Sequence, residues 1–347
     1  MLKPSRAVRS LPISYVVTMS SCMIVVLFQI NIMTRNLFFT CMLLLVVTAI
    51  PAQVTYPYPL QHFPLSIENK QVQMAYMDIA PERANGKAII LFHGKNFNGY
   101  YWKDVIPALT AKGYRVIVPD QVGWGRSDKP DLHYSFHMLA LNNKLLLDSL
   151  HIQKVVVLGH SMGGMLAVRF TLMYPDLADK LILENPIGLE DYKTFVPYQP
   201  LEKLAAKEAS ATYESYKEYQ QSYYPEWKAD YEQYVQAQAE ALADTGFQRI
   251  ARVNAITYQM IYEQPVLYEF NRIKVPTLLI IGQSDRTVVG KDQLNEIEKK
   301  QYGQYPSLGG KTQADIPRSR LVEFKGIGHI PHIQNTALFI KTIENFL

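Results

Sequence analysis

The residues with the clearest chemical meaning form the run Gly159–Gly164, which reads Gly-His-Ser-Met-Gly-Gly. It follows an apolar run at Lys154–Leu158 that is typical of a buried strand, and it opens a helix-like segment at Gly163–Tyr174. A serine between glycines in this strand–turn–helix context is typical of a nucleophile elbow, a turn so tight that only glycine fits beside it. The turn exposes the serine hydroxyl at a helix N-terminus, which stabilises developing negative charge. Ser161 is therefore the candidate nucleophile.

A serine nucleophile needs a base to take its proton and an acid to orient that base, and candidates for both follow it in the chain. The run Val275–Ile281 is typical of a strand and is soon followed by Asp285. The next strand-like run, Leu321–Phe324, leads into a glycine-rich turn that ends at His329. Because the carboxyl ends of parallel strands meet at one edge of a sheet, we expect these two side chains to lie beside Ser161.

Other polar residues compete for these roles. Glu184 also ends a strand-like run and is an alternative acid, while His332 is an alternative base that lies outside the glycine-lined turn. His160, inside the elbow, is expected to pack beside the sheet, and His93 to hydrogen-bond its own loop. The hypothesis assigns Asp285 as the acid and His329 as the base.

Attack on a carbonyl also requires two N–H groups that bind the resulting oxyanion. One should be the backbone N–H of Met162, directly after the nucleophile. The other should come from the loop that follows the strand-like run Ala88–Phe92, where Lys95 is the better candidate and Asn96 the next.

These residues need a scaffold, and the chain alternates short apolar runs with helix-like stretches from about Gln71 onwards. Continuous runs of Val, Ile and Leu are typical of parallel strands covered on both faces. The predicted strands are Ala88–Phe92, Arg115–Val118, Lys154–Leu158, Lys180–Leu183, Val275–Ile281 and Leu321–Phe324. The predicted helices include Tyr101–Lys112, Met138–Leu150, Gly163–Tyr174 and Thr336–Leu347. This alternation predicts a mostly parallel, doubly wound α/β sheet.

One stretch, residues 189–269, interrupts the alternation. It contains no strand-like run, and twelve of the 23 tyrosines fall in it at helical spacings of three and four. The sequence therefore predicts a helical, tyrosine-rich cap between two parts of one core, residues 53–188 and residues 270–347. We refer to residues 189–269 as the helical segment.

The leading residues 1–52 are different again. Arg35 is followed by the apolar run Leu37–Ile50 and by a small residue before Gln53, which is typical of a cleaved signal peptide. Met33 would be a natural first residue for such a peptide. We therefore expect an exported protein, periplasmic or secreted.

The competing interpretation of the leader is a retained membrane anchor. The uncharged run Leu11–Ile32 is long enough to span a bilayer, so association with a membrane through residues 11–50 stays open.

Composition narrows the function further. The net charge of +4 comes entirely from residues 1–52, which carry four basic residues and no acidic one, so the remaining chain has no basic excess to attract nucleic acid. Cys22 and Cys41, the only cysteines, lie in the same segment, so the rest of the chain has no thiol nucleophile and no cysteine metal site. The spacings of the histidines match no metal motif, and no glycine-rich dinucleotide motif occurs, so no cofactor is implied.

Taken together, these motifs resemble the α/β-hydrolase fold superfamily, in its branch with a helical cap over a Ser-His-Asp site. The matching residues are Leu91–Gly94 with Trp102, Val118–Asp120, Gly123–Ser127, Gly159–Gly164, Gly282 with Asp285, and Gly328-His329, and they span about Ala88 to Leu347. The resemblance implies that Asp120 holds a loop. Two features depart from the pattern: the pair Lys95-Asn96 stands where many relatives have a proline nearby, and Gln334 stands where a glutamate often follows the histidine.

The expected function is that of a cofactor-independent serine esterase that acts on a small-molecule acyl substrate, in a branch that also includes lactonases, proline iminopeptidases and haloperoxidases. Relatives that act on haloalkanes or epoxides use an aspartate nucleophile, so Ser161 argues against both activities. The alternatives are an acyltransferase or a hydrolase of carbon–carbon or amide bonds with the same triad, and a binding protein that has no catalytic activity. The sequence does not indicate the oligomeric state.

Overall fold

Eight strands form one sheet in the computed structural model, which describes residues 53–347. The predicted signal peptide or anchor lies outside these residues. The strands are β1 (Leu60–Ile67), β2 (Lys70–Ile79), β3 (Ala88–Phe92), β4 (Arg115–Pro119), β5 (Val155–His160), β6 (Ala178–Glu184), β7 (Thr277–Gly282) and β8 (Ser319–Phe324). All six predicted strands are present within two residues of their predicted bounds.

The strand order is β1-β2-β4-β3-β5-β6-β7-β8. Strands β3 to β8 run parallel, whereas β2 pairs antiparallel with both β1 and β4. Every residue of β3, β5 and β7 is buried, as expected for central strands covered on both faces. The predicted α/β-hydrolase fold, with a mostly parallel, doubly wound sheet, is therefore confirmed.

Helices cover both faces of the sheet. They are α1 (Ile106–Ala111), α2 (Phe136–Ser149), α3 (Met162–Met173), α4 (Leu201–Ala209), α5 (Tyr213–Gln221), α6 (Glu232–Ala239), α7 (Phe247–Glu263), α8 (Glu296–Gln301), α9 (Tyr305–Asp315), α10 (Pro331–Gln334) and α11 (Thr336–Glu344). Alternate strand residues point to opposite faces, so two apolar cores form. One core joins the sheet to α2, α3 and α9, and the other joins it to α1 and α11.

Helices α4 to α7 all lie in the helical segment, between β6 and β7 in the chain. These two strands are nonetheless paired neighbours in the sheet, with Leu181 opposite Thr277. The chain therefore leaves the sheet after β6 and returns to the adjacent position. The division into core and cap at residues 188/189 and 269/270 remains a prediction.

Within residues 53–347, no helix has both the length and the apolar character needed to cross a bilayer.

Candidate active site

Ser161 lies in the turn between β5 and α3, with backbone angles φ 56° and ψ −121°. This left-handed φ is unfavourable for a residue with a side chain, so the surrounding packing must enforce it. Packing also explains the two flanking glycines. A Cβ on Gly159 would lie 2.1 Å from the carbonyl oxygen of Gly163, and a Cβ on Gly163 would lie 2.2 Å from that of Phe92. The tight turn holds the Ser161 hydroxyl at the N-terminus of α3.

The structure brings the three predicted triad side chains together. His329 Nε2 lies 2.9 Å from Ser161 Oγ, and His329 Nδ1 lies 2.7 Å from Asp285 Oδ2. A carboxylate can only accept, so the proton sits on Nδ1 and Nε2 is free to accept the serine hydroxyl. All three residues are buried, with at most 6% of their surface exposed. This arrangement can move a proton from Ser161 to His329.

Asp285 is held by more than the histidine. Its Oδ1 accepts the backbone N–H of Thr287 at 2.8 Å, and its Oδ2 accepts the side-chain N–H of Asn185 at 2.7 Å. Burial opposes ionisation of Asp285, but His329 and these two hydrogen bonds outweigh it, so the pKa of Asp285 lies below its usual value. The carboxylate therefore stays charged near neutral pH, as needed to orient His329.

Asn185 is a site residue that the sequence analysis missed. Its side-chain carbonyl accepts the N–H of Gly282 at 2.9 Å while its amide donates to Asp285, so it joins the ends of β6 and β7. Its backbone φ of 36° is again left-handed, a conformation that asparagine tolerates better than most residues. The available signal was a polar residue two positions after the predicted strand Lys180–Leu183.

The alternative acid and base, Glu184 and His332, contact each other. The Glu184 carboxylate accepts the His332 backbone N–H at 2.7 Å and faces its Nδ1 at 2.9 Å. Burial raises the pKa of Glu184 to about 7 and lowers that of His332 to about 3. The His332 ring also stacks on the indole of Trp102 at 4.3 Å. The Glu184 backbone carbonyl accepts the Ser161 N–H at 3.1 Å, but neither the Glu184 nor the His332 side chain hydrogen-bonds to Ser161, His329 or Asp285. Neither residue therefore occupies a triad position.

The loop after β3 lies against the elbow, where the predicted oxyanion-binding amides should be. A Cβ on Gly94 would be 3.2 Å from that of Ser161, which shows how closely the loop approaches. The Lys95 carbonyl accepts the indole N–H of Trp124 at 2.6 Å, which fixes the loop from the other side. Met162 begins α3, where helix amides have no intrahelical acceptor. The roles of Met162 and Lys95 as oxyanion donors remain predictions.

We refer to residues 93–98, the loop after β3 that contains the predicted oxyanion donor Lys95, as the oxyanion loop, and to residues 325–330, between β8 and α10, as the histidine loop. His160 connects these two loops. Its Nε2 faces the His329 carbonyl at 2.8 Å, so it donates there, and its Nδ1 lies 3.1 Å from the hydroxyl of Tyr101. That hydroxyl accepts the N–H of Gly94 at 2.9 Å. Burial lowers the pKa of His160 to about 3, so the ring stays neutral and keeps this pattern.

His93 and Asp120 organise the neighbouring loops. His93 Nδ1 faces the Gly94 carbonyl at 2.9 Å, which is the contact within its own loop that was expected, and its Nε2 accepts the N–H of Gln121 in the loop after β4 at 3.0 Å. Asp120 accepts the N–H of Gly99 and that of Arg126, each at 2.6 Å, so its carboxylate holds two loops, as the resemblance implied.

Gln334, one of the two departures, has a definite contact. Its side-chain oxygen accepts the N–H of Gly328 at 2.7 Å, directly before His329. An amide oxygen can accept this bond as a carboxylate would, so the substitution preserves the turn.

No group of three His, Cys, Asp or Glu side chains that could hold a metal ion occurs within residues 53–347.

A mostly parallel eight-stranded sheet with a serine on the turn after a central strand defines the class of α/β hydrolases. A model of the α/β hydrolase fold family matches residues 87–336, so the chain belongs to this family. A probable hydrolytic enzyme of Pseudomonas aeruginosa PAO1, known from its crystal structure, is 41% identical and has a TM-score of 0.83, covering 84% of this chain and 95% of that one.

Other similar proteins are more distant. An enol-lactonase of Burkholderia xenovorans LB400 has a TM-score of 0.63 at 21% identity, covering 82% of this chain and 99% of that one, and shares the fold alone. A haloalkane dehalogenase of Mycobacterium marinum is 28% identical over 163 residues, which are 43% of this chain and 54% of that relative. The first curated relatives, from Mycobacterium and Bacillus subtilis, are matched over only 30% to 43% of their length.

Proposed function

We propose that this α/β hydrolase is an exported serine hydrolase that cleaves carboxylic esters or related acyl compounds without a cofactor. The observation that carries the proposal is the pair of hydrogen bonds from Ser161 to His329 and from His329 to Asp285, at 2.9 and 2.7 Å. This geometry supplies a nucleophile, a base that has its acceptor nitrogen free, and a charged orienting acid.

The reaction follows from this arrangement. Ser161 Oγ attacks the acyl carbon as His329 Nε2 takes its proton, and the N–H groups of Met162 and Lys95 bind the oxyanion. The tetrahedral intermediate then releases the alcohol, which takes the proton from His329. A water molecule, deprotonated by His329, attacks the acyl-enzyme, and the second intermediate frees the carboxylic acid and restores Ser161. Asp285 stabilises the imidazolium in both halves.

The serine also distinguishes this proposal from dehalogenation, the activity named for the relative from Mycobacterium marinum. Displacement of a halide by Ser161 would form an alkyl ether, which has no carbonyl for water to attack, so the enzyme would not turn over. An acyl group on the same oxygen is an ester that water can cleave.

Covalent labelling tests the proposal directly. A fluorophosphonate probe should label the wild-type chain at Ser161 and leave Ser161→Ala unlabelled, and a panel of p-nitrophenyl esters and lactones should identify the acyl group. A binding protein would not react. Product analysis with added alcohols would reveal an acyltransferase, because the alcohol would then replace water as the acceptor.

A further inference from the structure

The turn that follows α5 in the helical segment lies directly on the candidate base. The backbone carbonyl of Tyr223 accepts the backbone N–H of His329 at 2.8 Å. The Tyr223 ring also stacks on the imidazole, with 4.8 Å between centroids and 30° between planes. Backbone and side chain of one tyrosine therefore both fix His329.

The same tyrosine reaches the oxyanion loop. The side-chain amide of Asn96 donates to the Tyr223 hydroxyl at 2.9 Å, and the Phe97 ring lies 6.0 Å from the Tyr223 ring. Asn96 and Lys95 form the other departure from the family pattern, and Lys95 makes an ion pair with Glu208 of α4 at 3.4 Å. Both residues of the Lys95-Asn96 pair thus contact the helical segment.

The fit between the turn and the histidine loop leaves no free space. A Cβ on Gly328 would lie 2.2 Å from the Tyr223 carbonyl oxygen and 3.0 Å from Cδ of Pro225. Tyr223 itself is 7% exposed, so its hydroxyl is partnered by Asn96, with the Tyr219 side chain as a second neighbour, rather than by bulk water.

We propose that Tyr223 is a positioning residue for the hydrolysis, because it holds His329 through its carbonyl and ring and holds the oxyanion loop through its hydroxyl. The inference rests on the proposed function. It means that the base and the oxyanion loop reach their working geometry together, when the helical segment lies in place over them. Tyr223 touches neither the acyl group nor the water in this mechanism, so it acts through its two neighbours.

The hydroxyl gives a clean test, because Tyr223→Phe removes it and keeps the ring and the carbonyl. Asn96→Ala removes the partner of the same hydrogen bond. We expect each variant to lower kcat on a small p-nitrophenyl ester about tenfold with KM changed less than twofold, since the loop serves the transition state more than the bound ester. The double variant should be no worse than either single one.

Tyr224→Phe is the matched control. Tyr224 is the next residue and also 7% exposed, but its buried hydroxyl has no hydrogen-bond partner within residues 53–347. This variant should keep kcat within twofold of wild type. Thermal melts of all four variants show whether a loss of rate reflects unfolding.

Two outcomes would overturn the inference alone: equal kcat in Tyr223→Phe and Tyr224→Phe, or losses that multiply in the double variant. The fluorophosphonate experiment separates a deeper failure. A wild-type chain that no probe labels at Ser161 would overturn the proposed function and this inference with it, whereas a labelled wild type with an unaffected Tyr223→Phe overturns only the positioning role.

Discussion

Glu184 is fully buried at the end of β6, where its carboxylate faces the backbone N–H and the ring of His332. Burial raises its pKa from 4.5 to about 7. A group whose pKa is raised on folding contributes stability that is complete below the lower value and is lost as pH rises through the higher one. The carboxyl is thus easiest to bury when protonated.

Comparison of the wild type with Glu184→Gln tests whether the raised pKa of Glu184 makes stability depend on pH. The wild type loses stability as Glu184 ionises, whereas the variant has no carboxyl to ionise. The free energy of unfolding of the variant should therefore rise relative to that of the wild type, by up to ~3 kcal/mol, as pH rises from about 4.5 to about 7. Urea unfolding at pH 5 and at pH 8 measures the difference. A difference that is the same at both pH values would contradict the raised pKa.

Asn185 offers a second residue-scale prediction. Asn185→Ala removes the amide that donates to Asp285 and leaves the N–H of Gly282 without its acceptor. A hydrogen bond to a charged group contributes about 1.5–3 kcal/mol, so kcat/KM should fall roughly ten- to hundredfold. Ester hydrolysis and a thermal melt check this.

The control is Asn143→Ala, which also removes a buried asparagine, one bonded to Gln121 and to the Leu139 carbonyl. It should cost stability without a comparable loss in kcat/KM. If both variants lose activity equally, Asn185 has no special role at Asp285.

The contrast between residues found and missed has a physical reason. Ser161, Asp285 and His329 each follow a strand closely in the chain, so topology alone places them at one edge of the sheet. Asn185 matters because β7 lies beside β6, and Tyr223 because one turn of the helical segment meets one loop. Spacing along the chain cannot single out one tyrosine among twelve.

At the scale of the elements, the continuity of the apolar run distinguishes the strands that were predicted from those that were not. The six predicted strands are continuous apolar runs in the parallel part of the sheet. The hairpin β1–β2 was not predicted because β1 has a single buried residue, Leu65, and four exposed ones, and because polar residues interrupt the first half of β2. Helices α8 and α9 were not predicted for a related reason, because polar and glycine residues obscure their apolar periodicity.

The close contact at Gly328 gives the element-scale prediction. Gly328→Ala would place a methyl group 2.2 Å from the Tyr223 carbonyl oxygen, so either the turn after α5 or the histidine loop must move. We expect a loss of about 1–3 kcal/mol in stability from overpacking and a fall in kcat of at least roughly a hundredfold. Urea unfolding and ester hydrolysis measure the two effects.

Gly310→Ala is the contrasting substitution. A Cβ there meets nothing within 4 Å, and the residue lies inside α9. Alanine should therefore raise stability by about 0.5–1 kcal/mol and leave kcat unchanged. A wild-type rate in Gly328→Ala would show that the loop can yield without disturbing His329.

At the scale of the whole molecule, contacts of Val54 and Tyr56 join the start of the core to the loop at Arg126, which in turn contacts the helical segment. The Val54 carbonyl accepts the guanidinium of Arg126 at 3.2 Å, and Arg126 pairs with Glu240 beyond α6 at 2.8 Å. The Tyr56 hydroxyl donates to Asp120 at 2.6 Å. A chain processed before Gln53 would keep all these contacts.

Export is the prediction at this scale. Expression from Met33 with its leader should yield a processed protein that begins near Gln53, because the apolar run before it is typical of a signal peptide. Cell fractionation and N-terminal sequencing of the recovered protein check this. Recovery of an intact Leu11–Ile32 segment in the membrane fraction would instead favour the anchor.

The adjacency of β6 and β7 has a consequence for recombination between relatives. Because the helical segment leaves and re-enters the sheet at neighbouring strands, it could be exchanged as a cassette without altering any strand pairing. The exchanged segment must also supply a backbone carbonyl opposite the His329 N–H, where Tyr223 now supplies it. A chimera that lacks this carbonyl would leave the buried His329 N–H unpaired. This would cost about 1–3 kcal/mol of stability and would disturb the candidate base itself.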